Sequence, residues 1–495
     1  MKTLQKILCA MLALLCIAGC ASGTSDVPSD DTTSPAETTA EETTVPAETA
    51  PPLPDIKLDG HTVSLYKLAQ DKIAWASVTF APEESSSDLV NDNIYKRNQR
   101  LMEEYKFVLK ETADKDINKK IPTLSQAGDT TYNLYLNRLN QISAQSLQGL
   151  FKNLRDVETL FLDEAWWDQG MIRDLELFGN MFFINGDVNP GNNDTVQVLF
   201  YNKGLADDMK ITGIYDMVRD GKWTVDRMME MMTKVTHDVN GDGAMDYRDR
   251  YGLLGSAAET VNSLFAGAMG RVAQLNSEGI PEIKANTEAS EKAAAKIAAL
   301  YAISGGNFDY SQFKKQNNGQ TDREGIVMMF QAKNCLFFGN GISASAQYMR
   351  ESDVDYGFLP YPKLDENQDS YYSKISYSVP VFAIPAHADG ADKTGLVLEI
   401  LSRDSGESVM KDYYEVCFSA KYVRDGDSYE MLLIADSNHM YDPGNAFDWG
   451  KLGTNITSVI YSGSGTYMST VDANKAAAET AIKTMVDSFM KAKQG

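Results

Sequence analysis

The stretch that decides the fold begins HTVSLYKL (His61–Leu68), passes through Phe107-Val108-Leu109 and closes on Tyr132-Asn133-Leu134-Tyr135-Leu136. In its first piece Val63, Leu65 and Lys67 alternate with their neighbours, the period of a strand. Two helical patterns separate the three pieces. One is Asp92–Tyr105, offering Ile94, Tyr95, Leu101 and Met102 to a core; the other is Ile117–Ala127. Strand, helix, strand, helix, strand predicts an α/β fold whose parallel sheet is joined by crossover helices. Ligands of such sheets gather beyond the carboxyl ends of the strands.

Toward the C-terminus the alternation goes on. Met181–Asp187 reads as a strand running into a turn, and Val196–Lys203 as an apolar strand with a polar end. Cys335–Gly341 breaks at two glycines, and Tyr356–Pro362 and Ser378–Pro385 add further strands. Helices are expected at Thr287–Ser304 and at Asp472–Lys493, where Asp472 caps and Ile482, Met485, Val486, Phe489 and Met490 form one stripe.

Between the strands lies an acidic loop. Asp238, Asn240, Asp242, Gly243, Asp246 and Asp249 stand at positions 1, 3, 5, 6, 9 and 12 of a twelve-residue calcium loop, with the Ala244 carbonyl at position 7. Thr224 is expected to cap the incoming helix, whose stripe is Val225, Met228, Met229, Met232 and Val235. Asp249 replaces the usual glutamate, so a structural Ca2+ of modest affinity is expected, suited to extracellular fluid. No second loop of this kind accompanies it, which argues against a sensor.

The N-terminus has a different character. Lys2 and Lys6 precede the apolar run Ile7–Ile17, which ends in Ile17-Ala18-Gly19-Cys20. Residues 1–19 are therefore expected to be a secretory signal, too short to span a membrane comfortably. Residues 20–57 are rich in Ser, Thr, Pro, Ala, Asp and Glu, and Ala21–Pro54 has no Lys or Arg. Such a composition buries too little apolar surface to offset its ordering entropy, so a mobile tether is expected.

The 495 residues suggest two or three domains, and the net charge of −23 offers no basic patch for nucleic acid. Part of that charge sits in the tether and the calcium loop, so it says little about a ligand. Beyond the signal, Cys335 and Cys417 either pair or remain buried thiols. His61, His237, His387 and His439 lack zinc spacing, and neither a G-x-S-x-G elbow nor a P-loop is present.

Several pieces together resemble an extracellular solute-binding protein of an ABC importer, of the family-1, sugar-binding type. They are Phe151–Leu154, Tyr201-Asn202-Lys203, Gly221-Lys222-Trp223-Thr224 and the calcium loop ending Arg250-Tyr251-Gly252. Tyr356–Lys363, Arg424–Leu432 and Phe447-Asp448-Trp449-Gly450 continue the pattern. Cys20 resembles the lipobox cysteine that becomes diacylated in bacterial lipoproteins. The third strand departs, with Asn133 and Tyr135 where an Asp and a small apolar residue are often seen.

The resemblance implies a two-lobed periplasmic-binding-protein-like fold (type II) with three inter-lobe crossings, near Asp187–Asp194, Gly339–Ile342 and Pro380–Asp389. Lobe one would be residues 58–189 and 341–385, and lobe two 190–340 and 386–495. It also implies a monomer, lipid-anchored on the outer face of a Gram-positive cytoplasmic membrane, that closes by hinge motion on an oligosaccharide and delivers it to ABC permease subunits.

A sugar offers apolar C–H faces and a rim of hydroxyls, so its cleft needs flat aromatic surface and planar hydrogen-bonding groups. Trp166 and Trp167, beside Asp168 and Gln169, supply both in one loop. Phe447 and Trp449 lie where the resemblance places an aromatic wall. Asp187, Asn340 and Tyr361 are expected at crossings, and Glu259 and Asn262 from lobe two. Trp223, opening a helix, is expected to pack. The rival classes are a glycosidase, which needs two carboxylates across a cleft, and a surface sugar-binding lipoprotein without a transporter. Peptide and polyamine binders share the architecture.

Overall fold

In the computed structural model of the protein, nine strands build two main sheets among the described residues. In chain order they are β1 (Thr62–Leu68), β2 (Val108–Asp114), β3 (Leu134–Arg138), β4 (Gln197–Asn202) and β5 (Tyr251–Gly255). Then come β6 (Asn307–Asp309), β7 (Cys335–Gly341), β8 (Tyr356–Leu359) and β9 (Pro380–Ala383). The structure describes residues 50–69, 71, 79–316, 321–350, 353–413 and 423–492. The chain divides into two units, Met1–Leu53 and Pro54–Gly495, and the architecture below is that of the second. The expected signal, Cys20, Cys417 and most of the expected tether lie outside the described residues.

The first sheet has the order β9-β3-β1-β2. β1 runs parallel to both β2 and β3, as the strand–helix alternation predicts, and β9 closes one edge antiparallel to β3. Val63 and Leu65 are fully buried, and Tyr66, Lys67 and Leu68 nearly so, because β1 has a strand on each side and helices over its faces. The helix Leu89–Tyr105 begins three residues before its expected start, since Asp88 accepts the Asn91 amide at 3.1 Å and serves as N-cap.

The second sheet has the order β8-β4-β7-β5-β6. β4 pairs antiparallel with β7 and β8, whereas β7, β5 and β6 run parallel to one another. Every residue of β4 is buried, which explains its unbroken apolar run. Thr224 caps helix Val225–Val235 as expected, and Trp223 is fully buried with its indole donating to the Pro360 carbonyl at 2.9 Å. On that helix Met231 joins the buried stripe and Met229 is partly exposed. At the C-terminus the last helix spans Tyr467–Ala492, so Asp472 lies within its second turn and is not its cap.

Between described strands the chain passes from one sheet to the other twice. In the first passage Ile184 still bridges Phe382 of β9, and β4 of the second sheet begins at Gln197. The second falls between β8 and β9, since β8 pairs with β4 and so belongs to lobe two. Of the later helices, Ala391–Glu407 packs on Leu89–Tyr105 and β1, and Gly426–Asp436 packs on β8. The sequence marks where strands end, whereas partner choice rests on pairing between distant segments, and β8 is recruited by the edge of β4.

Candidate functional site

The parallel strands aim their carboxyl ends at one region. In lobe two these ends are Gly255-Ser256 after β5, Asp309-Tyr310 after β6 and Asn340-Gly341 within β7. In lobe one β3 ends at Arg138, from which helix Leu139–Ser146 starts at once. The returning segment Ser373–Val379 runs between the two. Leu139 and Asn140 donate their amides to the carbonyls of Val379 and Tyr377 at 2.8 and 3.0 Å, fastening that segment to lobe one.

Glu259 opens helix Glu259–Gly267, its amide donating to Ser256 Oγ at 2.9 Å. A carboxylate suits this position because the helix dipole is positive there. Its Oε2 meets Lys374 Nζ at 2.6 Å, and its Oε1 accepts the Ser376 hydroxyl at 3.1 Å. The Lys374 side chain is 1% exposed, while that of Glu259 keeps 32%. Nζ also lies 4.0 Å from the centroid of the Tyr377 ring, a cation–π contact. Burial pulls the Lys374 pKa down while Glu259 resists it. Burial, aided by Asp442 and Glu259, pushes the Tyr377 phenol well above its ordinary value, and Asn445 hydrogen-bonds to it. Tyr310, whose hydroxyl bonds Ser256, is likewise raised by burial.

The first crossing is a knot of amides. Asn185 Nδ2 donates to Asn192 Oδ1 at 3.0 Å and to the Pro380 carbonyl at 2.9 Å, and Asn189 donates to Asn185 Oδ1 at 3.2 Å. All three are buried and satisfied by one another, which fixes the crossing to the start of β9. A recess of about 160 Å3 opens beside the ends of β5 and β6, lined by Ser256, Asp309, Tyr301 and Tyr461 among others.

The expected ligand-binding residues fall into two groups. Glu259 and Asn340 stand at the strand ends, and Asn262, on the Glu259 helix, accepts the Thr457 hydroxyl at 2.7 Å. The others are drawn into packing. Trp167 is 2% exposed and donates from its indole to Glu399 at 3.0 Å in lobe one. Partly exposed Trp166 faces Arg403, whose guanidinium lies 5.5 Å from its ring. Gly186 must be glycine, because a Cβ there would lie 2.3 Å from the Trp166 carbonyl. Asp187 donates its amide to that same carbonyl at 2.9 Å and is partly exposed.

Tyr361 is wholly buried, its hydroxyl pressed on Gly339 of β7, so it offers no face to a solute. Phe447 and Trp449 stack at 5.1 Å, and both are largely buried. Trp449 lines a recess of about 170 Å3 with Val272, Ile283 and Ile482, backed by the last helix. Tryptophan in a sequence signals area to be buried as readily as area to be offered. The groups missed by sequence reasoning are Lys374, Ser376, Tyr377, Arg271 and Asn445. Short polar stretches in loops carry no local signal of their convergence.

The acidic loop folds on its own oxygens. Asp238 accepts the amides of Gly241 and Gly243 at 2.7 and 2.8 Å, Asn240 that of Asp242, and Asp242 that of Ala244. Gly243 turns at φ +82°, the left-handed region its position requires. Asp249 is fully buried and clasps the amides of Val239 and Asp246 at 2.9 and 2.8 Å, joining the loop's two ends. Arg248 reaches across Asp246 and Asp242. Among the described residues no three His, Cys, Asp or Glu side chains are grouped to hold an ion. The oxygens of positions 1, 3 and 5 are spent on the loop's own amides, and Arg248 pairs with positions 5 and 9. Cys335 is buried and donates to the Phe337 carbonyl, with its thiol pKa raised by burial.

No protein-family model matches the chain, and no curated protein matches it in sequence. Solved structures do match in shape. UgpB from Mycobacterium tuberculosis, in complex with glycerophosphocholine, superposes with a TM-score of 0.55 at 12% identity, over 86% of this chain and 99% of its own. The maltose-binding protein MalE from Listeria monocytogenes, in complex with maltose, gives 0.53 at 14% identity, covering 88% and 99%. MalE from Bdellovibrio bacteriovorus, bound to maltotriose, gives 0.51 at 14%, covering 87% and 100%.

The fold is that of ABC-transporter solute-binding proteins. In this solute-binding fold the two sheets described above are the two lobes, and the convergence of Glu259, Lys374, Ser376 and Tyr377 lies where their strands end. No helix among the described residues is long and apolar enough to cross a membrane.

Proposed function

We propose that the protein is an extracellular solute-binding lipoprotein of an ABC importer, anchored through Cys20, which captures a carbohydrate between its lobes and passes it to permease subunits. The observation that carries this reading is the set of polar and tyrosine side chains at the shared strand ends. Glu259 accepts hydrogen bonds from hydroxyls, partly exposed Tyr310 supplies a flat face, and Asn340 adds an amide. Glu259 has one oxygen on Lys374 and the other on Ser376. That fixes it as a neutralised acceptor, a binder's arrangement and not that of a proton donor to a glycosidic oxygen. The maltose and maltotriose bound to the two MalE proteins of this fold agree with a sugar.

Capture is read as hinge closure, the lobes turning about the segments that link them. We also assign a structural Ca2+ to residues 238–249, held by Asp238, Asn240, Asp242, Asp246, Asp249 and the Ala244 carbonyl. The deciding experiment is a titration of the purified protein, followed by intrinsic fluorescence, against a panel of oligosaccharides with product analysis of each mixture. Saturable quenching with unchanged sugar is expected. Cleaved sugar overturns the binding reading, and quenching by peptides or polyamines alone overturns the sugar.

A further inference from the structure

In the corner built around Asp442 stands a cation without an ion pair of its own among the described residues. Arg271 precedes the short strand Ala273–Leu275 and is held by its backbone, its amide donating to Ser290 Oγ at 3.1 Å and its carbonyl accepting from the same hydroxyl. A guanidinium carries five N–H groups. In Arg271 one of them, on Nη1, is spent on the Gly270 carbonyl at 2.9 Å, and the side chain forms no ion pair with any described residue. It is nevertheless only partly exposed.

The two carboxylates within electrostatic reach of it are already committed. Asp442 accepts the amides of Val272, Ala273 and Gly444 at 2.6, 3.1 and 2.8 Å. Asp174 is taken by Arg173 at 2.7 Å and by the Tyr441 amide at 3.0 Å. Tyr377 ties this corner to the rest of the site. Its ring receives Lys374, Lys374 pairs with Met440 in a two-stranded parallel sheet, and Asp442, two residues on, holds the amides of Val272 and Ala273, which brings Arg271 to the same corner. A protein that half-buries a guanidinium and leaves most of its planar donor fork open holds a cost that an anionic partner relieves.

We propose that the solute is an acidic saccharide, and that Arg271 receives a uronate carboxylate in bidentate fashion while Glu259 accepts hydroxyls. The inference rests on the sugar-binding reading above and narrows it. A carboxylate, planar and two-pronged, matches the fork better than a hydroxyl pair does, and arginine serves here in a way lysine does not. Lys374 cannot take that role, because Glu259 already neutralises it.

The test is calorimetric titration with a galacturonate trisaccharide and with the same trisaccharide after its carboxyls are reduced to alcohols. For the unmodified protein the acidic sugar should bind about ten- to a hundredfold more tightly, the span of one charged hydrogen-bonded contact. Its affinity should weaken as salt rises. Arg271→Gln should abolish the difference while the reduced sugar binds as before. Arg271→Lys, which retains the charge but not the fork, should keep part of it. Thermal melting of both variants separates lost recognition from lost folding. Equal binding of the two sugars to the unmodified protein overturns the acidic-sugar inference and leaves the sugar reading standing. Equal losses for both sugars in Arg271→Gln, at an unchanged melting temperature, assign Arg271 to hydroxyls and overturn it too. Binding of neither sugar, with heat from other solute classes, removes the sugar reading itself.

Discussion

Two acidic regions of this molecule look alike in composition and differ in how they are held. The loop 238–249 is a local object: its carboxylates close on amides no more than ten residues away, as in Asp249 to Val239. Around Glu259 the partners are Lys374 and Ser376, 115 and 117 residues distant. The first arrangement is set by spacing and a glycine turn, so it can form early and without the rest of the fold. The second exists only after both lobes are built. A change in the loop should therefore alter stability and spare binding, whereas a change at Glu259 should alter both.

The sharpest way to break that contrast is Lys374→Met. It leaves the Glu259 carboxylate beside a buried apolar side chain with its countercharge removed. Removing one partner of a buried pair costs about 3–5 kcal/mol, and the partial exposure of Glu259 places the expected loss nearer about 2–3 kcal/mol by chemical denaturation. Solute affinity should fall by about tenfold or more, since a displaced acceptor no longer meets the solute's hydroxyls. An unchanged affinity would show that Glu259 only ties the returning segment to lobe two.

Next in size is Asp249→Ala, the matching lesion in the local region. It removes the buried acceptor of the Val239 and Asp246 amides and unties the loop's two ends, for an expected cost of about 1–2 kcal/mol. Solute affinity should stay within about twofold. If it drops further, the loop communicates with the cleft and the contrast fails.

Chelation probes the same region more gently. With affinity in the range of extracellular modules, about 1 mM Ca2+ binding at a Kd of about 0.1 mM stabilises the native state by about 1.4 kcal/mol. Removing the ion with EDTA should lower the melting temperature by the corresponding few degrees, reversibly, and Asp242→Ala should make the protein indifferent to EDTA. No response in the unmodified protein would mean that Arg248, lying across Asp242 and Asp246, already serves as the loop's cation.

This contrast also explains what could be read from the sequence. The parallel βαβ start was legible because Val63 and Leu65 alternate and because Asp92–Tyr105 repeats at helical period. The turn at Gly243 was legible because oxygen-bearing residues recur around it at fixed spacing, and Trp223 because it begins an amphipathic helix. Lys374 was invisible: in Ser373-Lys374-Ile375-Ser376-Tyr377 it resembles any surface lysine, and its burial follows from segments at 259 and 442 closing over it. Trp167 and Tyr361 erred in the opposite direction. Their rings are large enough to suit a sugar and equally to fill a lobe, and Glu399 and Gly339 decide for the lobe. The lobe limits failed for the same reason, since β8 could be recognised as a strand but its neighbour β4 could not be named.

His439 gives the smallest and most discriminating effect, because it combines a local partner with distant ones. Its Nε2 lies 2.8 Å from Asp436 Oδ1, three residues back, while its carbonyl receives Arg173 at 3.1 Å from lobe one. Burial works against a charged ring here, yet Asp436, helped by Asp168, lifts the pKa above its ordinary 6.5, with Arg173 opposing. The folded-state value thus exceeds the unfolded one. The stabilisation is complete below about pH 6.5 and is lost as pH rises through the folded value. The two side chains are only 18% and 4% exposed, so solvent screens the pair little, while burial of the ring offsets part of the gain. The melting-temperature difference between the unmodified protein and His439→Gln should accordingly be larger at pH 5.5 than at pH 9. Asp436→Asn should remove that pH dependence if the local carboxylate governs it. Should the dependence survive in Asp436→Asn and vanish in Asp168→Asn, the distant charge governs, and this corner behaves like the Glu259 site and not like the loop.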